Sequence, residues 1–160
     1  MDVTLSLAYD SPEEVGRLFS EYTGMLLAEN PDFQVYLDIQ NYEDEVLHLE
    51  KKYGLPAGRL YIARCGGRAA GCVALRKIDD ETCEMKRLYV RPAFRGCQIG
   101  SRLIQQIIDD ARATGYRHML LDTLPFLKSA IRLYRQFDFY EIPCYNDSPI
   151  ETTIFMKLDL

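Results

Sequence analysis

The stretch from Glu84 to Ile108 constrains this chain most, because it reads as a strand, a turn and a helix in that order. Residues 83–90 mix β-branched, aromatic and long side chains, and Pro92, which has no N–H to give a ladder, ends the strand. Ile99, Leu103, Ile107 and Ala111, with Ile104 and Ile108, then recur at helical spacing. The residues between, Arg95, Gly96, Cys97, Gln98, Ile99, Gly100 and Ser101, therefore sit where a helix begins. The first N–H groups of a helix have no intrahelical partner and face the positive end of its dipole. A short glycine-containing loop there can wrap an anion such as a pyrophosphate, and Arg95 adds a full positive charge. Glycines at helix starts also serve turns alone, and both readings stay open at this point.

The balance of charge narrows the partners. A net charge of −5 argues against nucleic acid, but its distribution is uneven. Residues 1–60 hold Arg17, Lys51, Lys52 and Arg59 against twelve acids, which is −8; the remainder holds fifteen Lys and Arg against twelve acids, which is +3. An acidic part can draw a cationic substrate while a basic part holds a polyphosphate, or the acids can simply form a solvated helix face. No basic n-region precedes a long apolar run, and no stretch approaches the roughly 20 apolar residues of a membrane span. A cytoplasmic protein without membrane contact is expected. Cys65, Cys72, Cys83, Cys97 and Cys144 form an odd set without metal-ligand spacing, and His48 and His118 are the only histidines. Reduced thiols and no metal are expected, and 160 residues fit one domain.

Val3 to Tyr9 alternates as a first strand. Ser11 as N-cap, Pro12 at the first helical position and Glu14 predict a helix. Its apolar stripe of Val15, Leu18, Phe19, Tyr22, Met25 and Leu26 ends near Asn30 and Pro31. Asp32 to Gln40 reads as less regular. A second helix is expected from about Tyr42 to Tyr53, with Val46, Leu47 and Leu49 apolar and Gly54 as its stop. Leu60 to Arg64 and Ala70 to Leu75 form a hairpin about Gly66 and Gly67, and a turn at Asp79 to Glu81 leads into the strand before Pro92. Gly115 ends the long helix, and His118 to Thr123 is a buried strand parallel to residues 83–90. A helix from Pro125 carries Leu127, Ala130, Ile131, Leu133, Tyr134 and Phe137; Glu141-Ile142 and Glu151 to Leu158 are final strands.

Two segments carry a family likeness. Leu88-Tyr89-Val90-Arg91-Pro92 with Arg95-Gly96 and Ile99-Gly100 resembles the acetyl-CoA-binding motif of the GNAT superfamily of N-acetyltransferases, and Ala130 to Phe139 resembles its later helix. The likeness covers residues 59–160 by motif and residues 1–58 by element order, and its tail is similar to a bacterial subgroup. Three positions depart from the pattern. Gln98 stands where members usually carry glycine, so its backbone must avoid positive φ or accept strain. Leu127 replaces an asparagine, removing one polar contact to a pantetheine arm, and Asp138 replaces a glycine, a milder change because Asp tolerates the left-handed region.

The resemblance implies an α/β acyl-CoA N-acyltransferase fold, a mixed central sheet flanked by about four helices. It further implies acetyl-CoA as co-substrate, held by Leu88, Tyr89, Val90, Arg95, Gly96, Cys97, Gln98, Ile99, Gly100 and Ser101. The acetyl group would pass to a primary amine, on a small molecule or a peptide, by direct attack through a tetrahedral intermediate. Whether the chain is a monomer or a homodimer stays open. An alkylammonium of pKa near 10.4 costs about 4–5 kcal/mol to deprotonate at pH 7, so a base is useful. Glu84, expected by alternation on the face of Leu88 and Val90, matches the strand glutamate that is the base in some relatives; a surface glutamate pairing with Lys86 or Arg87 is the plain alternative. Tyr134 matches the helix tyrosine that relatives use as general acid, and also reads as a core tyrosine whose hydroxyl seeks a partner. Backbone N–H groups of residues 88–90 would polarise the acetyl carbonyl. Cys97 at a helix start suggests a covalent route, which no adjacent histidine supports. A catalytically silent acyl-CoA sensor is the second reading, distinguished by the absence of thiol release.

Overall fold

The computed structural model describes residues 2–160. Its strands are β1 (Val3–Leu7), β2 (Arg59–Cys65), β3 (Arg68–Lys77), β4 (Thr82–Val90), β5 (His118–Thr123), β6 (Tyr140–Ile142) and β7 (Ile154–Asp159), joined in one sheet of order β1-β2-β3-β4-β5-β7-β6. The first four strands run antiparallel in sequence, because each connection is either a tight turn or the excursion through the N-terminal helices. The β2–β3 turn is Gly66-Gly67, both at positive φ, the conformation a two-residue hairpin demands. β4 and β5 pair parallel through the long helix between them, and β7 inserts between β5 and β6.

Six α-helices are described where about four are expected: α1 (Pro12–Glu29), α2 (Phe33–Ile39), α3 (Tyr42–Leu47), α4 (Leu49–Tyr53), α5 (Ile99–Thr114) and α6 (Lys128–Gln136). The stretch read as irregular contains α2, whose Phe33, Tyr36 and Leu37 are buried at helical spacing while Val35 and Ile39 face water. The helix expected over Tyr42 to Tyr53 is broken at His48, where φ −135 and ψ 59 leave the helical region. Leu47 is consequently 78 % exposed instead of apolar-facing, whereas Leu49 is buried. Ser11 precedes α1 but its hydroxyl turns to Asp10 Oδ1 at 3.3 Å and caps no helical N–H. α6 begins at Lys128, three residues later than Pro125, with Leu127 at its N-cap.

The sheet has two buried faces. On one, α5 lays Ile99, Leu103, Ile104, Ile107 and Ile108 against Val73, Met85, Met119 and Leu121; each such side chain contributes about 1.5–3 kcal/mol relative to exposure. On the other, α1 and α4 bury Val15, Leu18, Phe19 and Tyr53 against Leu60, Ile62, Cys72 and Ala74. No helix among the described residues is long and apolar enough to cross a membrane.

Two irregularities in β4 shape the functional site. First, β4 and β5 pair only from Thr82 with His118 to Glu84 with Leu120; beyond that point β4 continues to Val90 with no ladder partner on its β5 side. Second, the register with β3 jumps from Ala74 with Lys86 to Cys72 with Tyr89, so that Arg87 and Leu88 together oppose Val73. This is a β-bulge, and Arg87 sits in it at φ +58. The bulge exchanges the faces of the strand. Met85 lies on the α5 side before it, and Leu88 and Val90 lie there after it.

Candidate active site

The loop after β4 is held by a short 3-10 turn, Pro92–Phe94, whose buried Phe94 anchors it beneath the Arg68 guanidinium. Arg95, Gly96, Cys97 and Gln98 are exposed. Gly96 adopts φ +87, and Gln98 adopts φ +60 and ψ +23 as the residue before α5. Gln98 therefore occupies the left-handed region instead of avoiding it, at a cost of about 1–2 kcal/mol for a residue with a Cβ. The first α5 bond to this turn is from Arg102 N–H to Gln98 O at 3.1 Å. The N–H groups of Ile99, Gly100 and Ser101 are thus the free donors of the helix N-terminus. Gly100 has a second reason to be glycine: a Cβ there would stand 3.2 Å from Leu133 Cδ1 of α6.

Between β4 and β5 the sheet opens. Arg91 N–H is donated to Ala70 O at 2.8 Å, so strand alternation turns the Val90 N–H away from β3 and into the opening. Tyr134 on α6 closes the opening from the other side. It is 6 % exposed, its ring packs on Phe139, and burial pushes its phenol up, so that it stays protonated throughout the neutral range. One small cavity is lined by Tyr134, Leu88, Lys86, Arg87, Gln40 and Asp122, among others. Leu88 and Tyr134 are therefore brought to one cleft, and the start of α5 meets α6 and the end of β4 where a Cβ on Gly100 would stand 3.2 Å from Leu133 and 3.8 Å from Val90. The turn expected at Asp138 is also present, at φ +74.

Glu84 is placed otherwise than expected. The bulge puts it on the face opposite Leu88 and Val90, and it is neither a surface residue nor a cavity-lining one. It is 1 % exposed and receives Arg76 Nε at 2.6 Å and the Tyr145 hydroxyl, with Lys86 Nζ 3.9 Å away. Burial alone would raise its pKa, but Lys86 and Arg76 and the bonds from Tyr145 and Arg76 together hold it below the usual carboxylate range. Such a carboxylate is ionised and fully engaged.

The remaining polar lining was not singled out from the sequence. Asp122 on β5 accepts hydrogen bonds from the Tyr36 hydroxyl and from Asn146 Nδ2 at 2.8 Å, and lines the cavity facing Lys86 and Arg87. Arg87, 5 % exposed, grips Glu45 of α3 through Nε and Nη2, each at 2.9 Å, and gives Nη2 to Gln40 at 2.7 Å. Lys52 reaches Glu45 at 2.7 Å. These partners come from α2, α3, α4 and the loop before β7, up to 110 residues apart, and only the fold unites them.

Comparison with known proteins agrees with this fold. A family model described as the acetyltransferase (GNAT) family matches residues 22–139. An uncharacterised N-acetyltransferase of Schizosaccharomyces pombe is 41% identical over 131 residues, 81% of this chain and 80% of the relative. An acetyltransferase structure from Streptococcus agalactiae superposes with TM-score 0.77 at 22% identity, over 99% of this chain and 98% of the other. The PaiA N-acetyltransferase of Thermoplasma acidophilum, solved with coenzyme A, superposes with TM-score 0.76 at 14% identity over the whole of both chains.

Proposed function

The chain belongs to the acetyltransferase (GNAT) family and is an acetyl-CoA-dependent N-acetyltransferase, and from that premise we propose how its own residues divide the work. The turn Arg95 to Gln98 and the free N–H groups of Ile99, Gly100 and Ser101 fit a pyrophosphate. The unpaired edge of β4 fits a pantetheine arm, which can take the place of the missing strand through Leu88 and Val90. Acetyl-CoA supplies a thioester carbonyl to the cleft. The Leu88 N–H then faces the oxygen on which charge develops as the amine nitrogen attacks.

The acceptor is a primary amine, and the carboxylate that lines the cleft to meet it is Asp122. Tyr134 gives its proton to the departing sulfur; a buried phenol kept neutral is suited to that step and not to the role of base. Glu84 is a positioning residue, holding Arg76 and Tyr145. The free thiols of Cys65, Cys72, Cys83, Cys97 and Cys144 fit a reducing compartment, the cytoplasm.

The observation that carries this reading is the meeting, in one cleft, of Tyr134 with the unpaired end of β4. Thiol release from acetyl-CoA is measured against a panel of amines. Tyr134→Phe is expected to lower kcat about 100-fold or more with little change in acetyl-CoA affinity. Binding of acetyl-CoA without thiol release for any amine would replace the enzyme reading with that of a silent acyl-CoA sensor.

A further inference from the structure

The cavity beside Tyr134 has walls of opposite charge. On the β5 side stands Asp122, supported by Tyr36 and Asn146. On the β4 side stand Lys86 and Arg87, 7 % and 5 % exposed. The cations outnumber their partners. Lys52, Arg76, Lys86 and Arg87 share two buried carboxylates, Glu45 and Glu84. Glu45 is gripped by Arg87 and Lys52, and Glu84 by Arg76 and Tyr145.

Lys86 is the group left short. An ammonium has three donors. Lys86 gives one to the neutral Gln40 Oε1 at 3.3 Å and stands 3.9 Å from a carboxylate already taken by shorter bonds. A buried charge in that state is costly unless an anion completes it. Lys52 is held at about 8, because burial and the neighbouring Lys86 and Arg87 outweigh its bond to Glu45. Burial is the larger cause, and the like charges of Lys86 and Arg87 add to it.

Resting on the N-acetyltransfer reading, we propose that the acceptor is a small amino acid, its ammonium received at Asp122 and its carboxylate bound by Lys86 with support from Arg87. A peptide amine does not meet this requirement, because the carboxylate of its first residue is spent in an amide bond.

The test compares wild-type kcat/KM for matched acceptors: free amino acids, the same amino acids as C-terminal amides, and the corresponding decarboxylated amines. The amino acid that works best is expected to exceed its amide by about tenfold or more, the scale of a charge-assisted hydrogen bond. Lys86→Met should cut that ratio at least tenfold, and Lys86→Arg should restore most of it; a general loss of packing would not distinguish the acceptors. The wild-type comparison stands even if Lys86→Met fails to fold. Amides or decarboxylated amines accepted as well as amino acids overturn the assignment and leave N-acetyltransfer in place. Thiol release with none of the three classes overturns both.

Discussion

Removing the Glu45 carboxylate without changing its shape tests whether the ion cluster under the cleft is built as described. Glu45 is 3 % exposed and bonds Arg87 twice and Lys52 once. Burial opposes its charge, but the Arg87 guanidinium and the Lys52 ammonium hold it at about 2 against an ordinary 4.5. At 1.36 kcal/mol for each pH unit between those values, the ionised form contributes about 3 kcal/mol to folding. Because the folded value is the lower one, that contribution is complete above pH 4.5 and is lost as pH falls through 2. Glu45→Gln leaves Arg87 and Lys52 uncompensated and should cost about 3–5 kcal/mol at pH 7. Urea denaturation of both proteins at pH 7, 5, 4 and 3 measures the difference. By pH 3 the wild-type advantage should have shrunk by about 2 kcal/mol, because the carboxyl of the unfolded chain has taken up its proton while the folded one is still mostly ionised. Glu84, also depressed, is common to both proteins and cancels. A difference below about 1 kcal/mol at pH 7, or one that does not change between pH 7 and 3, refutes the reasoning.

Three further predictions concern the site. Gln98→Gly relieves left-handed strain but adds freedom to the unfolded chain, so urea stability should move by less than about 1 kcal/mol while calorimetry shows tighter acetyl-CoA binding; equal or weaker affinity removes the strain argument. Arg95→Ala removes an exposed charge at the α5 entrance, so the unliganded Tm should hold while the Tm rise given by acetyl-CoA falls; an undiminished rise frees Arg95 from any part in binding. Glu84→Gln should lower stability and kcat without moving the acidic limb of the kcat profile, as befits a positioning residue; a steeper loss of rate below neutral pH would return the base role to it.

The strand–turn–helix of residues 84–108 was legible because each part carries a local cause: Pro92 stops the ladder, and the Ile and Leu stripe has only one face to bury. The same holds for Gly66-Gly67 and Gly115, where positive φ selects the residue. Glu84 was misplaced because alternation assumes a regular strand, and nothing local announces a bulge at an arginine. That bulge is stabilised from far away, by Glu45 and Gln40. Asp122 was read only as one residue of a buried strand, since Tyr36 and Asn146 lie 86 and 24 residues from it in the chain. The break at His48 was hidden for a similar reason: Leu47 extends an apolar stripe that the tertiary structure does not use.

In an unbroken strand, neighbouring residues never look the same way, yet Lys86 and Arg87 both reach the one oxygen of Gln40. The bulge is a change of parity. Even numbers point away from α5 up to 86, and odd numbers from 87 onward. Substitution and deletion in this strand are therefore different kinds of event. Exchanging Arg87 for another residue alters one contact, whereas losing the position altogether would restore parity and turn Leu88, Tyr89 and Val90 over together, moving a tyrosine into the α5 core and two aliphatic side chains out of it. The number of residues in β4 is a constraint on this protein separate from their identity.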